Sequence, residues 1–212
     1  MVQGVIFDLD GVICSTDEFH YLAWKALADK EGIPFDRETN NLLRGVSRMA
    51  SLEIILRKTT RSYSEEEKAA LADYKNELYR GYLKQMTPAD LDPNVLKTLE
   101  ALKEKGVRIA IGSSSKNTKT ILTNLGIIDV FDAIADGNDI QHSKPDPEVF
   151  LVAAAKLGLE PSSCVVVEDA FAGIEAAKRG GFVAAAIGDA AKDPDADFVL
   201  STLSDILPIA LS

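Results

Sequence analysis

The fold of this chain is decided by the stretch Gly4-Val5-Ile6-Phe7-Asp8-Leu9-Asp10-Gly11-Val12. Its first four residues are small or apolar, which is typical of a buried parallel strand. Asp8 and Asp10 follow where the apolar run ends, and a spacing of two directs both side chains to one side of an extended backbone. Gly11 then allows a sharp turn. Two carboxylates this close need a cation between them or a shared proton. The stretch predicts a Mg²⁺ site that handles phosphate, with one Asp as nucleophile and the other as acid/base; the alternative is an acidic turn after a strand.

Composition excludes several classes of protein. The chain has 212 residues, a net charge of -10 and two cysteines without a CxxC spacing. The negative charge argues against nucleic acid or an anionic membrane as partner, and the cysteines predict free thiols rather than disulfides or zinc. The first apolar run is too short to cross a membrane and follows no basic segment, so we expect a cytoplasmic protein.

The segment 15–88 reads as a helical domain inserted near Asp8. It is neutral, with 12 basic and 12 acidic residues, against 11 and 21 in the rest of the chain. Its apolar residues recur at helical spacing, and Ser15–Glu18 and Ser64–Glu67 both have the pattern of a capping box. The predicted helices run from this first box to about Gly32, from Asp36 to Arg44, from Arg48 to Lys58, and from Ser64 to about Gln85. The segment Thr87–Pro93 is the predicted linker that returns the chain.

After this linker, predicted helices and strands alternate to the end of the chain. The strands are expected at 107–111, 133–135, 165–167, 183–187 and 198–200, with helices between them. This alternation predicts an α/β fold with a doubly wound parallel sheet. Residues 1–14 and 89–212 are therefore the predicted core domain, and residues 15–88 the predicted cap.

Polar side chains follow three further strands of the predicted sheet, and ligands of such sheets bind at these strand ends. The segment Ser113–Asn117 offers hydroxyl and backbone N–H groups to a phosphate, although a serine-rich helix start is often a simple cap. Lys144 is followed by Pro145 and Pro147, which stiffen the segment, and it could neutralise a phosphate, although a lone lysine is usually exposed. Glu168 and Asp169 would complete a hard-cation site with Asp8, or serve as acids at a helix start.

These residues resemble four motifs of the haloacid dehalogenase superfamily of phosphotransferases, and the resemblance covers the whole chain. Within the superfamily, the chain is most similar to the β-phosphoglucomutase family. The segments that carry this second resemblance are His20-x-x-x-Trp24-Lys25, Arg44-Gly45-Val46-Ser47-Arg48, Lys75-Asn76, Ser113-Ser114-Ser115-Lys116-Asn117 and Ser143-Lys144-Pro145. Arg44 stands where the family more often has Lys, which keeps the charge and changes its geometry.

The resemblance implies an isomerase that interconverts β-glucose 1-phosphate and glucose 6-phosphate through β-glucose 1,6-bisphosphate. Asp8 would become an aspartyl phosphate, and Asp10 would be the general acid/base. Thr16 and His20 would tie cap closure to Asp10. The implied ligands of Mg²⁺ are Asp8, the backbone carbonyl of Asp10, and Asp169, with Glu168 alongside.

The resemblance also implies a set of substrate-binding residues. Ser113, Ser114 and Lys144 would hold the transferring phosphate; Ser115, Lys116, Asn117 and Arg48 would hold the second one. The remaining expected contacts are Trp24, Arg44, Gly45, Val46, Ser47, Ser51 and Lys75. Without the resemblance, His20 would be interpreted as a histidine of a helix surface or of the core, and Trp24 could equally be a packed aromatic residue of the cap.

Two alternatives remain open from the sequence. A sugar-phosphate phosphatase would use the same scaffold, with water replacing the sugar as phosphoryl acceptor. A phospho-receiver signalling domain also gathers acids, a hydroxyl residue and a lysine at strand ends, but it has no use for a long helical insertion. We expect a monomer that binds a small sugar phosphate.

Overall fold

A computed structural model describes residues 2–43 and 46–211, which form a six-stranded sheet with helices. All the strands are parallel, in the order β3-β2-β1-β4-β5-β6. The strands are β1 (Gly4–Phe7), β2 (Arg108–Gly112), β3 (Ala133–Ala135), β4 (Cys164–Glu168), β5 (Val183–Ala186) and β6 (Phe198–Val199). The predicted doubly wound parallel sheet is confirmed.

Among the described residues, five α-helices lie between β1 and β2 and four follow β2. We divide them into the first four and the remaining five. The first group is α1 (Asp17–Glu31), α2 (Arg37–Asn41), α3 (Arg48–Leu56) and α4 (Glu65–Leu83). The second group is α5 (Pro93–Glu104), α6 (Thr118–Asn124), α7 (Glu148–Leu157), α8 (Phe171–Arg179) and α9 (Ile206–Ala210). We refer to α1–α4 as the helical insertion. Among the described residues, no helix is both long enough and apolar enough to cross a membrane.

The central strand β1 fixes where the polar strand ends meet. All four of its residues are buried, and it pairs with β2 on one side and β4 on the other. Phe7 is in register with Ile111 and Val167. Because the three strands end at the same level, the residues that follow them meet at one edge of the sheet.

Side chains alternate between the two faces of the sheet and build two apolar layers. Val5 and Phe7 pack in the layer that contains α5 residues, whereas Ile6 packs in the layer that contains α7 residues. The helical insertion has a third cluster around Trp24 and Leu52. The insertion therefore has an apolar core of its own beside the sheet.

Helix ends differ from the sequence prediction in an informative way. The Ser64–Glu67 capping box is confirmed, with both reciprocal hydrogen bonds present. The capping box predicted at Ser15–Glu18 is wrong. Thr16 occupies the N-cap position of α1, but its hydroxyl bonds the Asp10 carboxylate instead of the helix backbone. The Thr16 hydroxyl, which would ordinarily stabilise the start of the helix, instead holds the Asp10 side chain.

Two helical glycines provide a matched test of packing against the site. A Cβ added to Gly173 in α8 would overlap the Glu168 carboxylate, whereas no described heavy atom lies within 4 Å of a Cβ added to Gly81 in α4. We expect Gly81→Ala to raise the free energy of unfolding by about 0.5–1 kcal/mol through helix propensity. Gly173→Ala should lower it by about 1–3 kcal/mol through overpacking. Urea unfolding measures both; stabilisation by Gly173→Ala would contradict the packing described.

Candidate active site

Three carboxylates converge where β1 and β4 end. Asp8, Glu168 and Asp169 each place an oxygen so that the three atoms lie within 4.8 Å of one another. The Lys144 ammonium donates hydrogen bonds to two of them, to the Asp8 carboxylate and, at 2.6 Å, to the Glu168 carboxylate. It also lies 4.6 Å from the centre of the Phe150 ring. Lys144 is buried, contrary to the usual expectation for a lone lysine. The alternative interpretation of Lys144 as a solvent-exposed lysine is therefore wrong.

The electrostatics of this cluster suit a divalent cation. Burial and the neighbouring Glu168 charge raise the pKa of Asp8 to about 7 and that of Asp169 to about 8. Burial opposes the charge of Lys144, but the Asp8 and Glu168 carboxylates outweigh it and raise the lysine pKa. Among the described residues, this cluster thus contains three carboxylates and one ammonium, that of Lys144. All the carboxylate oxygens are hard ligands. The donor set fits Mg²⁺.

Glycine makes room for this cluster at the turn after β1. Gly11 has a φ of 81°, a conformation that favours glycine, and a Cβ there would overlap the Asp169 carboxylate. The turn therefore brings the Gly11 backbone close to the Asp169 carboxylate, and a larger residue at position 11 would displace that carboxylate.

Asp10 lies beside this cluster, but its carboxylate has different partners. Its Oδ1 accepts hydrogen bonds from the Thr16 backbone N–H at 2.7 Å and the Thr16 hydroxyl at 2.6 Å. Its Oδ2 lies 3.8 Å from His20 Nε2. Burial raises the pKa of Asp10, although the Thr16 hydrogen bonds oppose the shift. The two aspartates thus have separate environments, as an acid/base and a nucleophile require.

Lys75 determines which nitrogen of His20 carries the proton. The Lys75 Nζ lies 2.8 Å from His20 Nδ1. A charged ammonium can only donate, so with Lys75 protonated Nδ1 accepts and Nε2 carries the hydrogen on the side of Asp10. Burial, and then the charges of Lys75 and Arg48, hold the pKa of His20 well below its usual value. Lys75 itself lies against the rings of Trp24 and Tyr79, at 4.7 and 4.6 Å. Trp24 is both a packed helix residue and part of the cavity wall.

The loop after β2 offers an unused polar group. Its Ser113 is buried, and the Ser114 hydroxyl is buried without a hydrogen-bond partner among the described residues. The Ser115 hydroxyl accepts from the Asn117 backbone N–H, and the Asn117 amide donates to Asn76 of α4 at 3.1 Å. An unpaired buried hydroxyl costs free energy, which a bound phosphate oxygen would offset.

Arg48 begins α3 and faces the sheet domain from the helical insertion. Its guanidinium lies 3.9 Å from the Asp73 carboxylate, and burial lowers its pKa. Ser47 caps α3, while Ser51 is buried one turn further along the helix. The predicted contacts Arg44 and Gly45 lie outside the described residues.

All these groups surround a single cavity of about 990 Å³ between the sheet edge and the helical insertion. Of the predicted site residues, the cavity brings together Asp8, Asp10, His20, Trp24, Val46, Ser47, Arg48, Ser51, Lys75, Ser113, Ser114, Ser115, Lys116, Asn117, Lys144, Glu168 and Asp169. Thr16 lies behind Asp10 instead, buried, and reaches the cavity through that residue.

Comparisons with known proteins identify the family. Residues 2–181 match the haloacid dehalogenase-like hydrolase model. The chain belongs to the haloacid dehalogenase family. It is 44% identical to the β-phosphoglucomutase of Bacillus subtilis, over 97% of this chain and 92% of that protein. The crystal structure of a β-phosphoglucomutase from Clostridium difficile superposes with a TM-score of 0.91 at 39% identity, covering 97% of this chain and 93% of the other.

A phosphatase of the family is also similar. The fructose-1-phosphate phosphatase of Escherichia coli is 31% identical, over 84% of this chain and 92% of that protein. Membership of the haloacid dehalogenase family removes the phospho-receiver alternative and leaves mutase and phosphatase to be distinguished.

Sequence reasoning missed two residues of this haloacid dehalogenase site. Tyr79 stacks on His20 with ring centres 4.1 Å apart, and its hydroxyl lies 2.8 Å from that of Thr16. Asp73 pairs with Arg48. Helical spacing from Lys75 could have identified Tyr79, since residues four apart share a helix face.

The position of Lys75 predicts a pH-dependent stability. Burial lowers its pKa to about 7, so the folded protein holds fewer protons than the unfolded chain between about pH 7 and pH 10. The contribution of Lys75 to stability should therefore rise with pH, by an amount on the order of 1–3 kcal/mol between pH 7 and pH 9, while the raised pKa values of Asp8 and Asp169 act in the opposite direction. Lys75→Met should remove this contribution, so that its stability changes less favourably with rising pH than that of the wild type, and the exposed control Lys84→Met should keep the wild-type pH dependence. Urea unfolding at the two pH values tests this; equal pH dependence in all three proteins would contradict it.

Proposed function

We propose that this chain is a Mg²⁺-dependent β-phosphoglucomutase, which interconverts β-glucose 1-phosphate and glucose 6-phosphate through β-glucose 1,6-bisphosphate. The observation that carries the proposal is the divergence of Asp8 and Asp10. One lies in the carboxylate and lysine cluster, and the other is held by Thr16 next to a neutral histidine. A nucleophile and an acid/base that act on the same phosphoryl group require this separation.

Phosphorylated Asp8 first gives its phosphoryl group to the 6-hydroxyl of bound β-glucose 1-phosphate: the bond from phosphorus to the sugar 6-oxygen forms, the bond to the Asp8 oxygen breaks, and the hydroxyl proton goes to Asp10. The β-glucose 1,6-bisphosphate then turns end for end, and Asp8 attacks the phosphorus on the sugar 1-oxygen. That phosphorus–oxygen bond breaks, the 1-oxygen takes the proton from Asp10, and glucose 6-phosphate leaves phosphorylated Asp8 behind. Lys144, Ser113 and Ser114 hold the phosphoryl oxygens by charge and hydrogen bonds.

Mg²⁺ would be held by Asp8, the Asp10 carbonyl and Asp169, with Glu168 alongside. When bound, it supplies positive charge that offsets the carboxylates and the phosphoryl oxygens. Lys116, Asn117 and Arg48 hold the phosphate that is not being transferred. We propose that the remaining predicted contacts, including Arg44 and Gly45, bind the sugar phosphate.

The proposal extends to organisation and location. Residues 1–14 and 89–212 form the core domain, and residues 15–88 form a cap that closes over the sugar phosphate. We also propose that the enzyme acts as a monomer. The absence of a membrane-crossing helix among the described residues is compatible with a cytoplasmic enzyme.

The alternative is a sugar-phosphate phosphatase, supported by the similarity to the Escherichia coli enzyme. The two activities differ in what accepts the phosphoryl group from Asp8, a sugar hydroxyl or water. A mutase must therefore keep Asp10 productively placed only when a sugar phosphate fills the cavity.

Product analysis separates the two. We expect purified enzyme with Mg²⁺, β-glucose 1-phosphate and a trace of β-glucose 1,6-bisphosphate to form glucose 6-phosphate in large excess over inorganic phosphate. The bisphosphate should shorten the lag, because it phosphorylates Asp8. Asp8→Asn, whose amide is a poor nucleophile, serves as the blank. Release of one phosphate per substrate, unaffected by the bisphosphate, would establish the phosphatase.

Arg48 provides a second test, because it would contact only the distal phosphate. Arg48→Ala should reduce kcat/KM for the mutase reaction roughly 10- to 100-fold, the effect of a lost charge-assisted hydrogen bond. Hydrolysis of p-nitrophenyl phosphate, which has no second phosphate, should change little. Arg57→Ala, an exposed arginine at the end of the same helix, is the control. Equal losses on both substrates would mean that Arg48 supports the insertion rather than the ligand.

A further inference from the structure

We propose that Tyr79 is a positioning residue for Asp10. Its hydroxyl completes a hydrogen-bond chain through Thr16 that keeps Asp10 Oδ1 as an acceptor and leaves Oδ2 to carry the transferred proton. The inference rests on the proposed role of Asp10 as general acid/base, and it assigns a function to a residue on α4, 63 positions away in sequence from Thr16.

The direction of the chain follows from counting hydrogens. The Thr16 hydroxyl has one hydrogen, and it points to Asp10 Oδ1 at 2.6 Å. The hydroxyl of Tyr79 lies 2.8 Å from the Thr16 oxygen, which has no second hydrogen to give. Tyr79 must therefore donate to Thr16, and Thr16 to Asp10. Donation to a hydroxyl makes that hydroxyl a stronger donor in turn.

The same contacts decide which oxygen of Asp10 can hold a proton. Oδ1 already accepts two hydrogen bonds from Thr16, and a proton on Oδ1 would face both of these donors. Oδ2 points toward His20 and the cavity. A carboxyl proton therefore resides on Oδ2, the oxygen from which a sugar can receive it.

Tyr79 is held in place strongly enough to serve this purpose. Only 1% of its surface is exposed, its ring stacks on His20, and the Lys75 ammonium lies 4.6 Å from its ring centre. Tyr79 thus contacts both residues that orient the other side of Asp10. One side chain of the helical insertion links the Thr16 and His20 contacts of the catalytic acid.

The consequence is specific to substrates that need a proton. When the bond from phosphorus to an alkyl oxygen breaks, the leaving oxygen takes the Oδ2 proton and Asp10 becomes a carboxylate. A p-nitrophenolate leaves as a stable anion without that proton. A misplaced Asp10 should slow formation of the aspartyl phosphate from an alkyl ester and spare its formation from p-nitrophenyl phosphate, whereas damage to the fold or to Asp8 should slow both. The burst of p-nitrophenolate measures this first step apart from the later hydrolysis of the aspartyl phosphate, in which water also gives up a proton.

The experiment compares Tyr79→Phe with Tyr82→Phe. Both substitutions remove one hydroxyl from α4, and the Tyr82 ring stacks on Phe19 away from the site. For Tyr79→Phe we expect kcat with β-glucose 1-phosphate to fall roughly 3- to 10-fold, the usual effect of one lost hydrogen bond, with KM little changed. The burst rate of p-nitrophenolate release from p-nitrophenyl phosphate should stay near wild type, and Tyr82→Phe should match wild type on both substrates. Equal losses of Tyr79→Phe on both substrates, or no loss, would overturn the proposal.

A double-mutant cycle tests the route through Thr16. Thr16→Val removes the middle hydroxyl, and Thr16→Ser retains it. If Tyr79 acts through Thr16, Tyr79→Phe should have no further effect in Thr16→Val and its full effect in Thr16→Ser. Multiplicative losses in Thr16→Val would refute the route. If Tyr79→Phe does not fold, Thr16→Val against Thr16→Ser decides: a loss confined to alkyl phosphates supports the chain, and an unselective loss overturns it.

Failure of the proposed function would give a different result. A phosphatase would release phosphate from β-glucose 1-phosphate in the wild type, yet its alkyl-ester cleavage would still depend on Tyr79. Retained alkyl selectivity without glucose 6-phosphate would therefore reject the mutase and keep the inference. Glucose 6-phosphate formation that is insensitive to Tyr79→Phe would keep the mutase and reject the inference about Tyr79.

Discussion

The active site depends on one unfavourable arrangement, the burial of Asp8 and Glu168 around the ammonium of Lys144 with the Asp169 carboxylate beside them. Asp8 and Glu168 face each other because β1 and β4 are adjacent and end at the same level. Gly11 and Gly173 provide the space that these acids occupy. Removing charge from water costs several kcal/mol per ion, so this arrangement lowers stability unless further positive charge arrives. A fully buried strand on either side keeps the acids from separating.

The same turn must produce two aspartates with different chemistry only two residues apart. Backbone alone cannot do this, since an extended segment would direct both carboxylates into one environment. Thr16 makes the difference by binding Asp10 with its N–H and its hydroxyl. The helix α1 gives up the side-chain cap that Thr16 would otherwise provide. A cap of this kind contributes about 1 kcal/mol, so positioning Asp10 takes precedence over stabilising the helix start.

The sequence predicted those features that depend on neighbouring residues, and it missed those that depend on contacts between residues far apart in the chain. The strand of Gly4 to Phe7 and the acids after it are encoded locally, by an apolar run and its end, and the prediction matched the structure there. The capping box at Ser15–Glu18 was wrong because Thr16 has a competing partner that is close in space and lies outside the box. Tyr79 and Asp73 were missed because their partners, Thr16 and Arg48, lie far away in sequence. Pairings between α4 and distant residues depend on how the insertion packs, which a local pattern does not contain.

The two walls of the cavity bury charged groups of opposite sign. On the sheet side, burial and carboxylate neighbours raise the pKa values of Asp8 and Asp169; on the insertion side, burial lowers the pKa of Arg48, and burial together with the Arg48 charge lowers that of Lys75. The charged groups of the two walls do not neutralise each other directly, because the cavity lies between them. A sugar phosphate with a divalent cation carries both missing signs, with the cation against the acids and the phosphate oxygens against the lysine and arginine. Under the proposed function, closure of the insertion would therefore be favourable with that ligand and unfavourable with water, which is the property that a phosphoryl transfer between sugar hydroxyls requires.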